Sequence, residues 1–137
     1  MKNQTLSIEQ MLHLKKLGVD TSKASMFYVP KLELKGEYCL LNVKPTSIIP
    51  FIPAFTFQDI MELLPKYISA KSNCYQLCAV YYDCANYTTI EYILEVDRAN
   101  VLHREFWGND KAGYLAGAYD MLCWCAENGY LNNNQTK

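Results

Sequence analysis

The sequence predicts an α+β domain, with a small antiparallel sheet of about three to four strands and helices packed on one of its faces. The expected core order is α-β-β-(β)-α, preceded by an N-terminal helix. Helix-start signals precede two helical segments. Strand-like segments of alternating apolar and polar residues follow the second helix. A final helix is predicted over residues 113–129 and ends on a glycine. That final helix is apolar on almost every side and must therefore be buried. The strands are expected to form the layer that covers it.

Length, composition and charge limit the classes of protein. The 137 residues, half of them hydrophobic, predict a single domain over residues 1–131, with residues 132–137 as a disordered tail. The 13 basic residues are balanced by 14 acidic ones, which weighs against nucleic acid as a partner because domains that bind it usually carry a basic excess. No apolar run approaches the roughly 20 residues that cross a bilayer, and no signal peptide begins the chain. We expect no membrane partner and a cytoplasmic location.

Start and stop signals bound the first helix, which is predicted over residues 7–17. Ser7 and Gln10 have the spacing of a capping box, in which each side chain bonds the backbone of the other residue. Gly18 supplies the stop, and Val19 follows it in the position that a Schellman motif requires.

The second helix is expected to begin with the same signals. Thr56 is the predicted cap, Asp59 completes the box, and Phe55 can contact Ile60 as a hydrophobic staple. Pro65 is expected to end this helix because the residue before a proline disfavours helical backbone.

Residues 45–55 form an unusual segment that combines prolines with large apolar side chains. Its apolar members are Ile48, Ile49, Phe51, Ile52 and Phe55, and its prolines are Pro45, Pro50 and Pro53. Proline removes a backbone donor, so the segment can be neither a helix nor a central strand. It is either an extended strap packed over the domain or an exposed apolar strip that binds a partner.

Alternating segments predict the strands. One or two short strands are expected within residues 26–43, two longer ones over residues 75–83 and 88–97, and a further one over residues 101–107. In the segment 88–97 the apolar side chains point one way, with Ile93 as the lone exception, and Thr89, Glu91, Glu95 and Asp97 point the other. The pattern predicts a solvated acidic face, which keeps the sheet soluble and protects its edges.

The element order over residues 56–129 coincides with that of the double-stranded-RNA-binding fold. Those domains contact phosphates across a groove, through a basic cluster at the start of the last helix. The corresponding residues 109–113 contain a single lysine, Lys111. A nucleic-acid-binding accessory domain is therefore retained only as an alternative function.

Cysteine spacing argues against a metal centre. Cys74 and Cys78 lie four residues apart on one predicted strand, which separates them by roughly 13 Å. That is too far to share a zinc ion, because each zinc–sulfur bond is about 2.3 Å long. Cys123 and Cys125 diverge around the last helix. We expect reduced thiols that pack as small hydrophobic residues, with no metal site and no cofactor.

Histidine is scarce, so an imidazole base for nucleophilic catalysis is available at two positions only. His13 is expected on the solvated side of the first helix, whereas His103 shares a strand face with Glu105, which could orient its imidazole. No nucleophile motif accompanies them, so no catalytic residue is assigned. A small enzyme or ligand-binding protein using His103 and Glu105 is the other alternative.

Three segments together, over residues 7–20, 53–66 and 118–130, resemble a group of short uncharacterised proteins encoded in prophages and mobile elements of gut Bacteroidota. The shared residues are helix caps and core positions, so the resemblance implies kinship, a bacterial host cytosol and a small accessory role. It implies no catalytic residue. Together with the apolar segment and the tyrosine-rich strands, it favours a non-catalytic protein-binding module whose partner is another protein or a second copy of the chain. Whether a small molecule binds is left open.

Overall fold

A computed structural model provides the structure, and it describes residues 5–31, 36–45, 50–82, 87–107 and 111–131. The elements in chain order are α1 (Ile8–Lys16), β1 (Met26–Pro30), β2 (Tyr38–Leu41), β3 (Ile52–Ala54), α2 (Phe57–Leu63), β4 (Tyr67–Ala70), β5 (Asn73–Tyr82), β6 (Tyr87–Leu94), β7 (Val101–Phe106) and α3 (Lys111–Glu127). Within the described ranges the strands form two antiparallel sheets. The predicted α+β class is confirmed, and a second small sheet accompanies the predicted one.

The larger sheet has the strand order β4-β5-β6-β7. Helices α2 and α3 contact each other, and α3 also contacts β6 and β7. Ile60 of α2, Ile90 of β6 and Leu122 of α3 belong to one core cluster, and each is fully shielded from solvent. The helices therefore cover one face of this sheet, as predicted, and within the described ranges no helical layer lies on its other face.

The sequence pattern did not predict β4, which lies between α2 and β5. Of its four residues only Ile68 is buried, so no apolar alternation marks it. The strand occupies an edge of the sheet and pairs with β5 alone. An edge strand has a neighbour on one side only, and this reduces the burial that its side chains need.

The smaller sheet has the order β2-β1-β3, and β1 and β2 are the short strands expected within residues 26–43. Strand β3 comes from the proline-containing segment, and its Pro53 lies opposite Phe27 of β1. Because β3 is an edge strand, proline is tolerated there. The segment is therefore excluded from a central strand, as expected, but it still joins a sheet.

The described part of this segment is largely shielded. Ala54 and Phe55 are fully buried, and the half-buried Phe51 packs edge-on against Phe27 with ring centroids 5.5 Å apart. Ile48 and Ile49 lie outside the described residues. Residues 51–55 therefore favour the packed strap over the exposed strip.

Both ends of α1 have the predicted hydrogen bonds. The Gln10 backbone N–H donates to Ser7 Oγ at 3.1 Å, and the Ser7 N–H donates to Gln10 Oε1 at 2.9 Å. At the other end Gly18 takes a φ of 90°, and the Val19 N–H donates to the Leu14 carbonyl at 3.0 Å. The capping box and the Schellman motif are both confirmed.

The cap of α2 also joins the helix to the smaller sheet. Thr56 and Asp59 form the predicted capping box, and Asp59 is only 6% exposed. Its Oδ2 accepts the Thr56 N–H at 3.0 Å and the Ser25 N–H at 2.8 Å. Just before the caps, the Leu6 N–H donates to the Phe55 carbonyl at 3.0 Å. The chain segments that enter α1, β1 and α2 are thus bonded to one another.

A glycine allows α3 to approach the end of β7 closely. A Cβ at Gly117 would lie 2.5 Å from the Phe106 carbonyl oxygen and closer still to Cδ1 of Trp107. The Trp107 indole packs there against the rings of Phe57 and Tyr114, and its N–H has no hydrogen-bond partner in the structure as described. The small residue at this position therefore sets the distance between helix and sheet.

Two further expectations concern the ends of the last helix. Gly129 takes the left-handed conformation, with a φ of 77°, as a helix-stop glycine should. The expected disordered tail, residues 132–137, lies outside the described residues. In the described part of the chain no helix is both long enough and apolar enough to span a bilayer.

The hairpin between β4 and β5 predicts a stabilising substitution. Lys71 and Ser72 form its two-residue loop and have φ values of 52° and 65°, where Asn and Gly are strongly preferred. Replacing them together (Lys71→Asn with Ser72→Gly) should raise the free energy of unfolding by about 1 kcal/mol. Urea denaturation measures the change. Lys71→Ala keeps the strained backbone and should give no gain; an unchanged double variant would contradict the assignment.

The contact at Gly117 predicts the opposite effect. Gly117→Ala should lower the free energy of unfolding by about 1–3 kcal/mol, because the overlap with backbone outweighs the better helix propensity of alanine. Thermal and urea denaturation provide the measurement. Ala116→Gly, at the exposed neighbouring position, isolates the propensity effect and should cost about 1 kcal/mol. A stabilised Gly117→Ala variant would show that the helix can move away at little cost.

Candidate functional site

The helix-free face of the larger sheet carries the candidate site. Tyr92 of β6 and His103 of β7 point towards the helices, since both contact Trp124 of α3. Successive strand residues alternate between faces, so Glu91 and Arg104 point the other way. These two residues lie opposite each other in the β6–β7 register.

Glu91 is buried at the centre of this face. It is 1% exposed, and its Oε2 accepts three hydrogen bonds: from the Tyr82 hydroxyl at 2.8 Å, from Thr89 Oγ1 at 2.6 Å and from Arg104 Nε at 2.6 Å. Tyr82 reaches it from β5 and Arg104 from β7. Two long side chains on the flanking strands therefore close over a carboxylate on the central strand.

This arrangement corrects the predicted acidic face. Glu91 and Thr89 were expected to be solvated, but both are buried. Glu95 is exposed as expected, beyond the end of β6. The alternation correctly placed Glu91 on the outward face. It did not reveal which side chains of β5 and β7 stand beside it.

The network keeps Glu91 ionised. Burial by itself would raise the pKa of this carboxyl, but the hydrogen bonds from Thr89, Arg104 and Tyr82, together with the charge of Arg104, outweigh it and leave the pKa below its ordinary value. The hydrogen bond to Glu91 is also the main cause of a raised pKa at the Tyr82 hydroxyl. The buried carboxylate is thus paired with Arg104 and held by further hydrogen bonds from neighbouring polar groups.

Aromatic side chains surround the ion pair and form what we call the aromatic platform, defined as Tyr82, Tyr87, Arg104 and Phe106. The Tyr82 and Tyr87 rings stack with centroids 5.2 Å apart, and Tyr87 lies 5.3 Å from Phe106. Arg104 Cζ lies 5.6 Å from the centre of the Tyr82 ring. Phe106 remains 62% exposed.

His103 and Glu105 are brought together as the sequence predicted, but between the sheet and α3. His103 Nε2 lies 2.6 Å from Glu105 Oε2, and both side chains are about three-quarters shielded. The imidazole stacks flat on the indole of Trp124, with centroids 4.2 Å apart. The pair therefore helps to attach α3 to the sheet edge. His13 is exposed on α1, as expected.

The groups around this pair are poorly suited to nucleophilic chemistry. Burial raises the pKa of the Cys123 thiol above its ordinary value of 9.0, so the thiol stays protonated at neutral pH. Burial, and then the nearby charge of Glu105, also raise the pKa of Asp120. Cys125, deeper on the same helix, has its pKa raised to about 12 by burial. These two thiols occupy packed positions, as expected for reduced cysteines, whereas Cys74 of β5 is exposed, contrary to that expectation.

The described residues contain no group of three or more His, Cys, Asp or Glu side chains that could hold a metal ion. Cys84 lies outside those residues.

The Glu91 network predicts a pH-dependent loss of stability. Glu91→Gln should cost about 2 kcal/mol at pH 7, towards the lower end for a broken buried pair because Arg104 keeps partial contact with water. The folded-state pKa of Glu91 lies below the ordinary 4.5, so its contribution is complete above that value and is lost as the pH falls through the folded-state pKa. The difference between variant and wild type should therefore shrink as the pH is lowered from 7 to below the ordinary pKa of 4.5.

Urea denaturation across this pH range measures the effect. Glu95→Gln, at an exposed carboxylate near the end of the same strand, is the matched control and should change stability by less than about 0.5 kcal/mol. Equal effects of the two substitutions at pH 7 would show that the network contributes no special stability.

No family model matches the chain, and no match was found among curated proteins or among solved structures. The function is therefore argued from the geometry of the site itself.

Proposed function

We propose that the chain is a non-catalytic protein-binding module that contacts its partner through the aromatic platform. The observation that carries the proposal is an exposed cluster of aromatic side chains and an arginine, on a sheet face that no helix of the described residues covers. Phe106 is 62% exposed, and Arg104 has 39% of its side chain exposed. Aromatic residues and arginine are the types that dominate binding energy at protein interfaces.

The platform is also rigid before any partner arrives. Glu91 fixes the Tyr82 hydroxyl and the Arg104 guanidinium by direct hydrogen bonds. Ordering a mobile side chain on binding costs about 0.5–1.5 kcal/mol, and this cost is reduced where the side chain is already held. A preformed surface supports binding better than a set of isolated exposed residues.

Nucleic acid is the second candidate, because exposed rings can stack on bases. The platform contains a single cation, Arg104, and its charge is paired with Glu91. Single-strand binding sites combine stacking with a positively charged groove. The charge on this face therefore favours a protein over a nucleic acid.

The biological setting is part of the same proposal. We propose an accessory protein of a phage or prophage that acts in the cytosol of a bacterial host, with a host protein or a second copy of the chain as its partner. The support is the resemblance of its helix caps and core positions to proteins of mobile elements in gut Bacteroidota.

Removing the exposed ring should separate binding from stability. Phe106→Ala should leave the free energy of unfolding within about 0.5 kcal/mol of wild type but weaken partner binding by about 2 kcal/mol, or roughly thirtyfold. Affinity capture from a Bacteroidota lysate with quantitative mass spectrometry measures how much of each host protein is bound. Light scattering on the purified protein measures self-association.

Val96→Ala is the matched control, because Val96 is 94% exposed at the far end of β6. A partner that wild type and Val96→Ala retain, but Phe106→Ala loses, supports the proposal. A strict monomer that captures the same proteins in all three forms would rule out the platform as the binding surface.

A further inference from the structure

We propose that Arg104 recognises an acidic side chain of the protein partner, inserted over the aromatic platform with apolar residues beside it. This inference rests on the proposed function and names the chemistry of the partner. It rests on the N–H groups of Arg104 that have no partner among the described residues, and on the groups that hold this side chain in place.

A guanidinium group has five N–H donors. Arg104 Nε donates to Glu91 at 2.6 Å, and Nη2 donates to the Tyr82 hydroxyl at 3.2 Å. Both bonds lie along the edge formed by Nε and Nη2. Within the described residues, the other edge, formed by Nη1 and Nη2, has no partner. That edge has the spacing that receives both oxygens of a carboxylate.

The bonds that occupy the first edge also fix the direction of the second. Glu91 is buried and cannot follow a mobile side chain, so its bond to Nε fixes the guanidinium plane. The Tyr82 ring lies beneath the same group, 5.6 Å from Cζ. An incoming carboxylate therefore meets a donor pair that needs little further ordering.

The charge of the site selects the kind of anion. Glu91 offsets the charge of Arg104, so the attraction comes mainly from directed donors at close range. A phosphate, with more charge than a carboxylate, would face the buried Glu91 without a second cation in the platform to balance it. The adjoining Phe106, 62% exposed, offers apolar contact beside the arginine. A single Asp or Glu flanked by apolar residues fits both features.

A displayed library of random peptides tests the inference directly. Peptides selected on the folded wild-type protein should be enriched in Asp or Glu next to aliphatic or aromatic residues. Fluorescence anisotropy then measures the affinity of the best peptide and of its Asp→Asn or Glu→Gln form. On wild type the amide form should bind about tenfold more weakly.

The variant Arg104→Lys separates recognition from folding. Lysine keeps a positive charge beside Glu91 but lacks the paired donors. Arg104→Gln serves as a second variant. Circular dichroism checks that each variant is folded. On Arg104→Lys the acidic peptide and its amide form should bind with equal affinity. If the preference for the acidic peptide disappears only when Arg104 is replaced, the peptide carboxylate and the Arg104 guanidinium must be in contact. A general loss of structure would weaken the binding of both peptides and would not remove the preference alone.

Other outcomes overturn the inference. Peptides that bind in a Phe106-dependent way without an Asp or Glu would reject the acidic partner and leave the proposed function intact. A library that yields no platform-dependent peptide would reject both. Binding of a single-stranded oligothymidylate, lost in Phe106→Ala, would reject the acidic partner in favour of nucleic acid.

Discussion

The buried carboxylate of Glu91 is the constraint on which the free face of the larger sheet depends. An ionised group this far from water is tolerated only when it is paired and hydrogen-bonded, and three donors on one oxygen meet that requirement. They draw Tyr82 and Arg104 towards β6 from the two strands that flank it, β5 and β7. The hydrogen bonds that the buried Glu91 carboxylate requires thus fix the positions of Tyr82 and Arg104 in the aromatic platform.

Strand β6 serves two different layers. Ile90 and Tyr92 face the helices and are fully buried in the apolar core, whereas Thr89 and Glu91 face away and are buried among polar and aromatic groups. The Tyr92 hydroxyl also donates to the Pro65 carbonyl at 2.7 Å, so the core side has its own satisfied polar group. Register errors in this strand would break both layers, and the pairing is therefore strongly specified.

Much of the fold follows from signals that are local in the sequence. The caps at Ser7 and Thr56 depend on residues three positions apart, so spacing alone predicts them. The approach of His103 to Glu105 likewise needs only the period of a strand. Burial of Glu91 and the platform depend on which residues of β5 and β7 lie opposite β6. The register decides this, and no local pattern contains it.

One feature of the helix caps bears on how the molecule unfolds. Asp59 accepts hydrogen bonds from the backbone N–H of Thr56, the N-cap of α2, and from Ser25, directly before β1. The Tyr28 hydroxyl of β1 donates to the Leu6 carbonyl at the entry to α1. Opening the smaller sheet would leave a buried carboxylate without part of its bonding, which raises the cost of partial opening. Both sheets should therefore exchange their amide hydrogens through a shared cooperative transition rather than as separate units.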